Sequence, residues 1–451
     1  MLFSFPGRST CGMQKLPETL SAGMRAAVLL LALGPALSGG VFAAGDVLGF
    51  EQALRLAEQR SRQPAAQDAA ARAAREMSVA AAQLPDPVLK GGVNNLPIEG
   101  RDSFSLTGDF MTMRSIGVMQ EFTGADKRRA RAARYDREAE LAESGRALAV
   151  INLQRDTATA WLERHYEERT LEVLQAQRAE TALQVEAADA AYRSGRGSQA
   201  DVFAARSALA QIDDRIRQTQ RQLSVARTRL ARWVGDGAAL ALGEPPVMSA
   251  LKLDPAALGS QLLQHPQIAL MRSQEAVARA DAEIALAGRS ADWSAELMYS
   301  KRGPNYDDMV SINFSIPLQF DQKNRQDREL AARLAGVEQV QAEREEVLRE
   351  RLAETLGWLQ AWQGNRDRLA HYDATLQPLA AERSKAALAA YRGGGGPLDA
   401  VLEARRAEID VRMERLRLEL ETAVLWVQLN FLLPDGQAGQ APGHASVFTE
   451  K

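Results

Sequence analysis

The chain has 451 residues, a formal net charge of −3 and only 6% aromatic residues. Ala, Leu, Arg, Glu and Gln dominate, the composition of long helices and coiled coils rather than of a compact enzyme. A balance this close to neutral gives nucleic acid no electrostatic reason to bind, and the acids and bases interleave along helical stretches as on solvated faces.

After Arg25 the apolar run AAVLLLALGPAL leads to Val41-Phe42-Ala43, which sets small residues at the minus-three and minus-one positions of a secretory cleavage site. The run is shorter than the roughly 20 residues that span a bilayer. Residues 1–43 are therefore expected to be a signal peptide. Cys11, the only cysteine, falls within them, so the mature chain is expected to lack disulfides, Cys-ligated metals and a cysteine nucleophile.

From about Leu48 to Gln83, apolar and Ala positions recur at helical spacing, with a break at Gln63-Pro64 and a stop at Pro85-Asp86-Pro87. VLKGGVNNL is the next strand candidate. In SIGVMQEF, Ile116, Val118 and Phe122 share one face while Ser115, Gly117 and Glu121 share the other, an amphipathic strand. After Thr123-Gly124 a helical pattern runs without Pro or paired Gly to about Arg193. Its roughly 70 residues would extend about 105 Å. A hinge containing Gly195 and Gly197 turns the chain into a helix over Asp201 to Trp233, and a Gly- and Pro-rich linker is expected at 236–254.

The same order then recurs. Leu258 to Leu286 reads as a helix with His265-Pro266 standing where Gln63-Pro64 stood. Trp293, Ala295, Leu297 and Tyr299 alternate with Ser294, Glu296, Met298 and Ser300, and Val310, Ile312, Phe314 and Ile316 alternate with Ser311, Asn313 and Ser315. A second long helix is expected from Gln322 to Arg392, kinked at Pro378. The Gly393 to Gly396 hinge and a closing helix over Leu398 to Leu432 follow, with an irregular tail at 434–451.

The repetition extends to residues. AAYRSGRGSQADVFAAR, beginning at Ala190, returns without a gap as AAYRGGGGPLDAVLEAR at Ala389, a spacing of 199. That period is far longer than the typical 20 to 50 of solenoid units, so the chain reads as an internal duplication, with repeats at 44–235 and 255–433. In each, two shorter helices laid end to end match one long helix, which puts the hairpins at one end of a helical bundle and the glycine hinges at the other.

Strands apolar on one face and polar on the other are what a transmembrane β-barrel requires. Four cannot close a barrel, and an open edge cannot face lipid, so a chain spanning a membrane in this way must oligomerise. The same periodicity also fits half-buried sheets of a soluble domain.

The order helix, hairpin, long helix, glycine hinge, helix, twice over behind a signal peptide, resembles the TolC family of outer-membrane efflux proteins across essentially the whole mature chain. The hinges AYRSGRGSQADV and AYRGGGGPLDAV, the hairpin exits FTGADKRRARAAR and FDQKNRQDRELAAR, and the Gln-Pro and His-Pro dipeptides carry the resemblance. The exits look closest to the heavy-metal branch, the CzcC and CusC type.

The resemblance implies a mainly α fold with a small β part. A long α-helical coiled-coil barrel would continue into a homotrimeric, twelve-strand transmembrane β-barrel, to which each chain gives four strands. It implies an exit duct in the outer membrane of a Gram-negative bacterium, reaching into the periplasm, bound by lipid and coupled through a periplasmic adaptor to an inner-membrane resistance-nodulation-division pump. Heavy-metal cations are the expected cargo, with drugs or other small molecules as the alternative; an exported coiled-coil scaffold without a pore is the reading outside the family. Tyr192, Arg193, Gly195 and Gly197, with Tyr391, Arg392, Gly394 and Gly396, would form the adaptor-contacting hairpin tips. The aperture acids would be Asp201, Asp399 and Glu403: the family's first acid in the second tip falls on Ala400, leaving Asp399 one residue early, and the later acid falls on Glu403. Converging carboxylates attract cations and can gate a narrow pore, while Asp201 and Asp399 also suit a helix N-terminus.

Other signals point nowhere further. His165, His265, His371 and His444 are scattered, so no histidine metal site is expected. Met111, Met113, Met119, Met298 and Met309 cluster in or beside the hairpins, where packing outweighs soft-metal binding as the explanation. Lys127, Arg128, Arg129, Arg131 and Arg134 read as the solvated first turns of a helix. The GGGG run at Gly393 lacks the Gly-Lys-Ser/Thr of a phosphate loop. No enzyme activity, cofactor or metal is expected.

Overall fold

A computed structural model describes residues 47–433. The expected signal peptide, Cys11, the tail 434–451 and His444 lie outside the described residues, all of which belong to one unit that starts at Asp46. This unit is mainly helical with a small β part.

In the first repeat, α1 (Phe50–Arg60) and α2 (Gln63–Ala81) are separated by a short break. Pro64 explains it: lacking an N–H and fixing φ, proline suits the first turn of a helix and not its interior. Strands β2 (Val88–Asn94) and β3 (Met113–Phe122) follow the short β1 (Val47–Leu48) in chain order. Then comes α3 (Ala125–Arg193), 69 residues without a break, about 104 Å of helix. α3 packs on α1 and α2 along one part of its length and on α4 (Gln199–Val234) along the other. The two short helices thus match the long one.

The expected linker is partly ordered. A 3-10 turn at Gly235–Ala239 leads to β4 (Ala241–Leu242), which pairs in parallel with β1. Two-residue strands have no periodicity to read, which is why the sequence pattern omits them.

The second repeat comprises α5 (Leu258–Leu262), α6 (Pro266–Ala287), β5 (Trp293–Lys301), β6 (Met309–Ser315), α7 (Gln326–His371), α8 (Gln377–Arg392) and α9 (Leu398–Asn430). Where one long kinked helix is expected, a π-helical turn over Tyr372–Leu376 divides α7 from α8. The Pro378 ring would collide with the carbonyl four residues earlier, that of Ala374. The chain widens one turn instead, with the Gln377 N–H reaching the Tyr372 carbonyl, a five-residue step.

Both hairpins join one antiparallel sheet in the order β2-β3-β5-β6. The β3–β5 pairing links residues about 180 positions apart, from Phe122 opposite Trp293 to Arg114 opposite Lys301. At its foot, Lys127 of α3 pairs with Asp292 at 2.7 Å, and Asp292 also accepts from the Gly124 N–H at 2.9 Å. The two repeats are therefore bonded where sheet meets helix.

The largest core lies around the middle of α3. Phe50, Trp161 and Trp426 meet there, the Trp161 indole donates to the Leu48 carbonyl at 3.1 Å, and the Trp426 indole donates to the Ala250 carbonyl at 2.9 Å. Fully buried Arg164 donates to the carbonyls of Ala238 and Leu240 at 2.9 and 2.7 Å and pairs with Glu168. This satisfies a charge that would otherwise be costly to bury. The first strand, the linker and the closing helix are thereby clamped at mid-height.

Candidate functional site

The register decides what each face of the sheet presents. Directly opposed residues share a face, so Leu89, Val118, Leu297 and Ile312 form one row and Ile116, Tyr299 and Val310 the next. Toward the helices, Phe122 stacks on Trp293 at 4.2 Å between ring centres, and Trp293 meets Phe314 at 6.4 Å. These rows make one continuous apolar surface on all four strands. Leu89, Val93, Ile116, Val118, Leu297, Tyr299, Val310, Ile312 and Phe314 are each 43–72% exposed on it.

Covering the exposed half of nine such side chains is worth on the order of 10 kcal/mol, comparable with the whole net stability of a folded domain. A face of this size marks an interaction site rather than a solvated surface.

The opposite face is polar. Lys90 pairs with Glu296 at 2.9 Å across β3, where Gly117 leaves room between them. A Cβ at Gly117 would lie 2.7 Å from the Leu297 carbonyl oxygen. Asn94 donates to Ser115 at 2.9 Å, and Ser294, Ser300, Ser311, Asn313 and Ser315 lie on the same face. Met113, Met119, Met298 and Met309 lie on this face by alternation. Among the described residues β2 and β6 each have one unpaired edge. Because β2 and β6 run in opposite directions, the β6 edge of one copy can pair antiparallel with the β2 edge of the next.

At the other end of the long helices, the two hinges have one geometry. Gly195 and Gly394 adopt φ of 71° and 73°, and the N–H of each reaches back to the carbonyl of Tyr192 and Tyr391 at 3.0 and 3.1 Å. Only glycine takes this left-handed position without strain. Gly197 and Gly396 are crowded instead, with a built Cβ meeting Ala191 and Ala390 at 3.1 and 3.2 Å. Arg193 and Arg392 are exposed, Tyr192 is exposed, and Tyr391 packs on a small core of Ala188, Val202, Ala205, Leu398 and Val401. That core holds the two tips side by side, although 199 positions separate their sequences.

The three candidate acids separate. Asp201 caps its own helix: its carboxylate accepts from the Ser198 N–H at 2.8 Å and its N–H donates to the Ser198 hydroxyl at 3.1 Å, a capping box. Asp399 and Glu403 are exposed on α9 and line one cleft of about 350 Å³ with Arg215, Arg405 and Arg406. Glu403 accepts from Arg383 at 2.9 Å. Cross-hairpin ion pairs that no local pattern reveals lie nearby, Arg405 with Glu180 at 3.1 Å and Arg215 with Asp410 at 2.8 Å.

His265 has a structural position. Its Nδ1 accepts from the Gln267 N–H at 3.1 Å and so caps α6. Burial, and then the charges of Arg351 and Arg155, lower its pKa from 6.5 to about 4. Among the described residues no group of three or more His, Cys, Asp or Glu side chains is arranged to hold a metal ion, and no helix is long and apolar enough to cross a membrane.

Solved structures share this architecture. The outer-membrane channel OprN matches 86% of this chain and 90% of its own at 17% identity, with a TM-score of 0.72. The outer membrane protein VceC of Vibrio cholerae matches 85% and 96% at 19% identity and 0.65. CusC, solved in a study of transmembrane channel formation, matches 84% and 90% at 17% identity and 0.67. The chain has the fold of these channels, over most of its length and most of theirs. No protein-family model and no curated protein sequence matches it.

Proposed function

We propose that the protein is the outer-membrane exit duct of a tripartite efflux system and belongs to the TolC family it resembles. One observation carries the reading: an uncovered apolar face on all four strands, backed by a polar face. β5 has nine residues, about 30 Å at 3.3 Å each, or about 23 Å when tilted by some 40°, which fits the apolar band of about 25 Å in outer-membrane barrels. The aromatic group Phe122, Trp293 and Phe314 then forms the girdle at the helical end.

In this reading three copies close a twelve-strand barrel and the polar face lines its lumen. The helices carry the lumen across the periplasm to the glycine tips, which meet the adaptor of an inner-membrane pump of the resistance-nodulation-division class. Cargo passes without chemistry, so no residue has a catalytic role. Asp399 and Glu403 are proposed to line the aperture, and Asp201 to hold the first tip in shape while adding negative charge near it. The finer proposal, heavy-metal cations as cargo, rests on the resemblance of the hairpin exits alone; a drug duct is its alternative.

Fractionation of cells expressing the full chain tests the duct. The mature protein is expected in the outer membrane as a trimer whose gel mobility changes on heating, and purified trimer is expected to conduct ions in a planar bilayer. Recovery from the soluble periplasm as a species with no heat-modifiable band would mean a scaffold without a pore. Growth of a deletion strain on metal salts and on drugs then separates the two cargoes.

A further inference from the structure

One cross-strand pair breaks the pattern of the apolar face. Arg114 and Lys301 stand directly opposite each other on β3 and β5 and share the face of Ile116, Val118, Leu297 and Tyr299. Like charges so placed repel. Among the described residues no acid lies within ion-pairing distance of either: Asp308 is next along the row, but it accepts from the Tyr299 hydroxyl. Arg114 donates from Nη2 to the Arg302 carbonyl at 3.3 Å, while its Nε is buried without a hydrogen-bond partner.

The position of the pair along the strand is informative. From Trp293 to Lys301 is about 26 Å of strand, or about 20 Å along the membrane normal at a tilt of some 40°. With Trp293 at the periplasmic boundary of the apolar band, the pair falls at the opposite boundary, at headgroup level on the outer side. The backbone there is well supported, since Arg302 lies 5.5 Å from the Tyr306 ring centre and donates to the Asp307 carbonyl at 2.9 Å.

We propose that Arg114 and Lys301 together bind a phosphate on the headgroup of an outer-leaflet lipid. A phosphate bridging the two would turn repulsion into two charge-assisted contacts. The planar guanidinium is suited to a bidentate hold on phosphate, and the lysine adds a point charge. Such a lipid would fix the depth and tilt of the barrel at its outer rim. The inference rests on the duct reading, because it requires this face to meet lipid.

The test uses the full-chain trimer in detergent, with lipopolysaccharide as probe in its native form and after enzymatic removal of its phosphates. The native lipid should bind at least about tenfold more tightly, as expected for two charge-assisted bonds. The double variant R114Q/K301Q should lose that preference, with R114K keeping part of it. Equal affinity for the two lipids, or an unchanged preference in the double variant, overturns the proposal. So does complete displacement by an equal concentration of inorganic phosphate, which would identify a free-anion site. Conductance of the same preparations in planar bilayers keeps the two readings apart. A trimer that inserts and conducts but shows no preference refutes the lipid site alone, whereas a protein that never inserts refutes the duct.

Discussion

The first repeat carries its chain from sheet to tip in one helix, the 69 residues of α3, whereas the equivalent path in the second repeat is divided into α7, a π-helical turn and α8. The tips differ as well. α4 begins with the Ser198–Asp201 capping box, while α9 begins after Pro397 with no side-chain cap. The duplicated halves thus share a backbone plan and differ in helix continuity and capping, with the π-turn and the uncapped helix start both in the second. A π-turn inside a long helix frequently marks a functional position, and here Arg415 of α9 reaches across it to Asp373. If one half moves more than the other in the proposed duct, the π-turn and the uncapped helix start make the second half the one expected to do so.

The largest expected effects come where the halves agree. Gly195→Pro and Gly394→Pro each demand φ near −65° at residues that sit at 71° and 73°, and each removes an N–H bonded to the preceding tyrosine. If the chain is the exit duct proposed above, both should abolish efflux while leaving the proposed trimer and barrel intact. Resistance unchanged in both would remove the tips from the coupling surface.

A smaller effect separates Gln63 from His265, the residues before the repeated prolines. His265 is neutral when folded because its pKa is held near 4, against 6.5 for the free side chain. The unfolded chain therefore takes up a proton as pH falls below about 6.5, while the folded chain resists until about 4. The associated stability is complete above 6.5 and is lost progressively toward pH 4, on the order of 3 kcal/mol in all. Thermal unfolding of the detergent-solubilised protein between pH 7 and 4 should show this slope, and His265→Gln should flatten it. An equal slope in the variant would assign the acid sensitivity to other groups.

What the sequence made legible follows from how local each signal is. The long helices, the alternation in β5 and β6 and the duplicated AAYR hinges each reside in a short window, and the helices and strands stand within a few residues of their expected bounds. The β3–β5 pairing does not, because it joins Ile116 to Tyr299, and no window contains both. The π-turn was legible only as the kink expected at Pro378; its placement before the proline follows from the carbonyl of Ala374. At the candidate site, the hinge glycines could be read from composition. The Ser198–Asp201 capping box is local and its S-x-x-D spacing stands in the sequence, whereas the cleft onto which Asp399 and Glu403 open depends on how two hairpins pack, and on ion pairs such as Arg405 with Glu180.

The caps supply a test of about 1 kcal/mol. Hydrogen exchange should be faster in the first turn of α9 than in that of α4. Ser198→Ala should raise the α4 rate about fivefold, the kinetic equivalent of one lost cap, and Pro397→Ser should slow α9. Equal rates in the wild type would show that the two tips do not differ in local stability.

The smallest change tests the proposed aperture. The Glu403–Arg383 pair is exposed, with side chains 73% and 61% accessible, and such pairs contribute about 0–1 kcal/mol. Glu403→Ala should therefore leave folding and the trimer unaltered, so a change in ion flow reports on the lumen rather than on stability. Higher single-channel conductance, or weaker block by divalent cations, is the expected result. Asp201→Ala should alter conductance less and local exchange more, because its carboxylate is already bonded to the Ser198 N–H. Identical conductance and block in Glu403→Ala would take the second tip out of the aperture, and a larger change from Asp201→Ala would hand that role to the first.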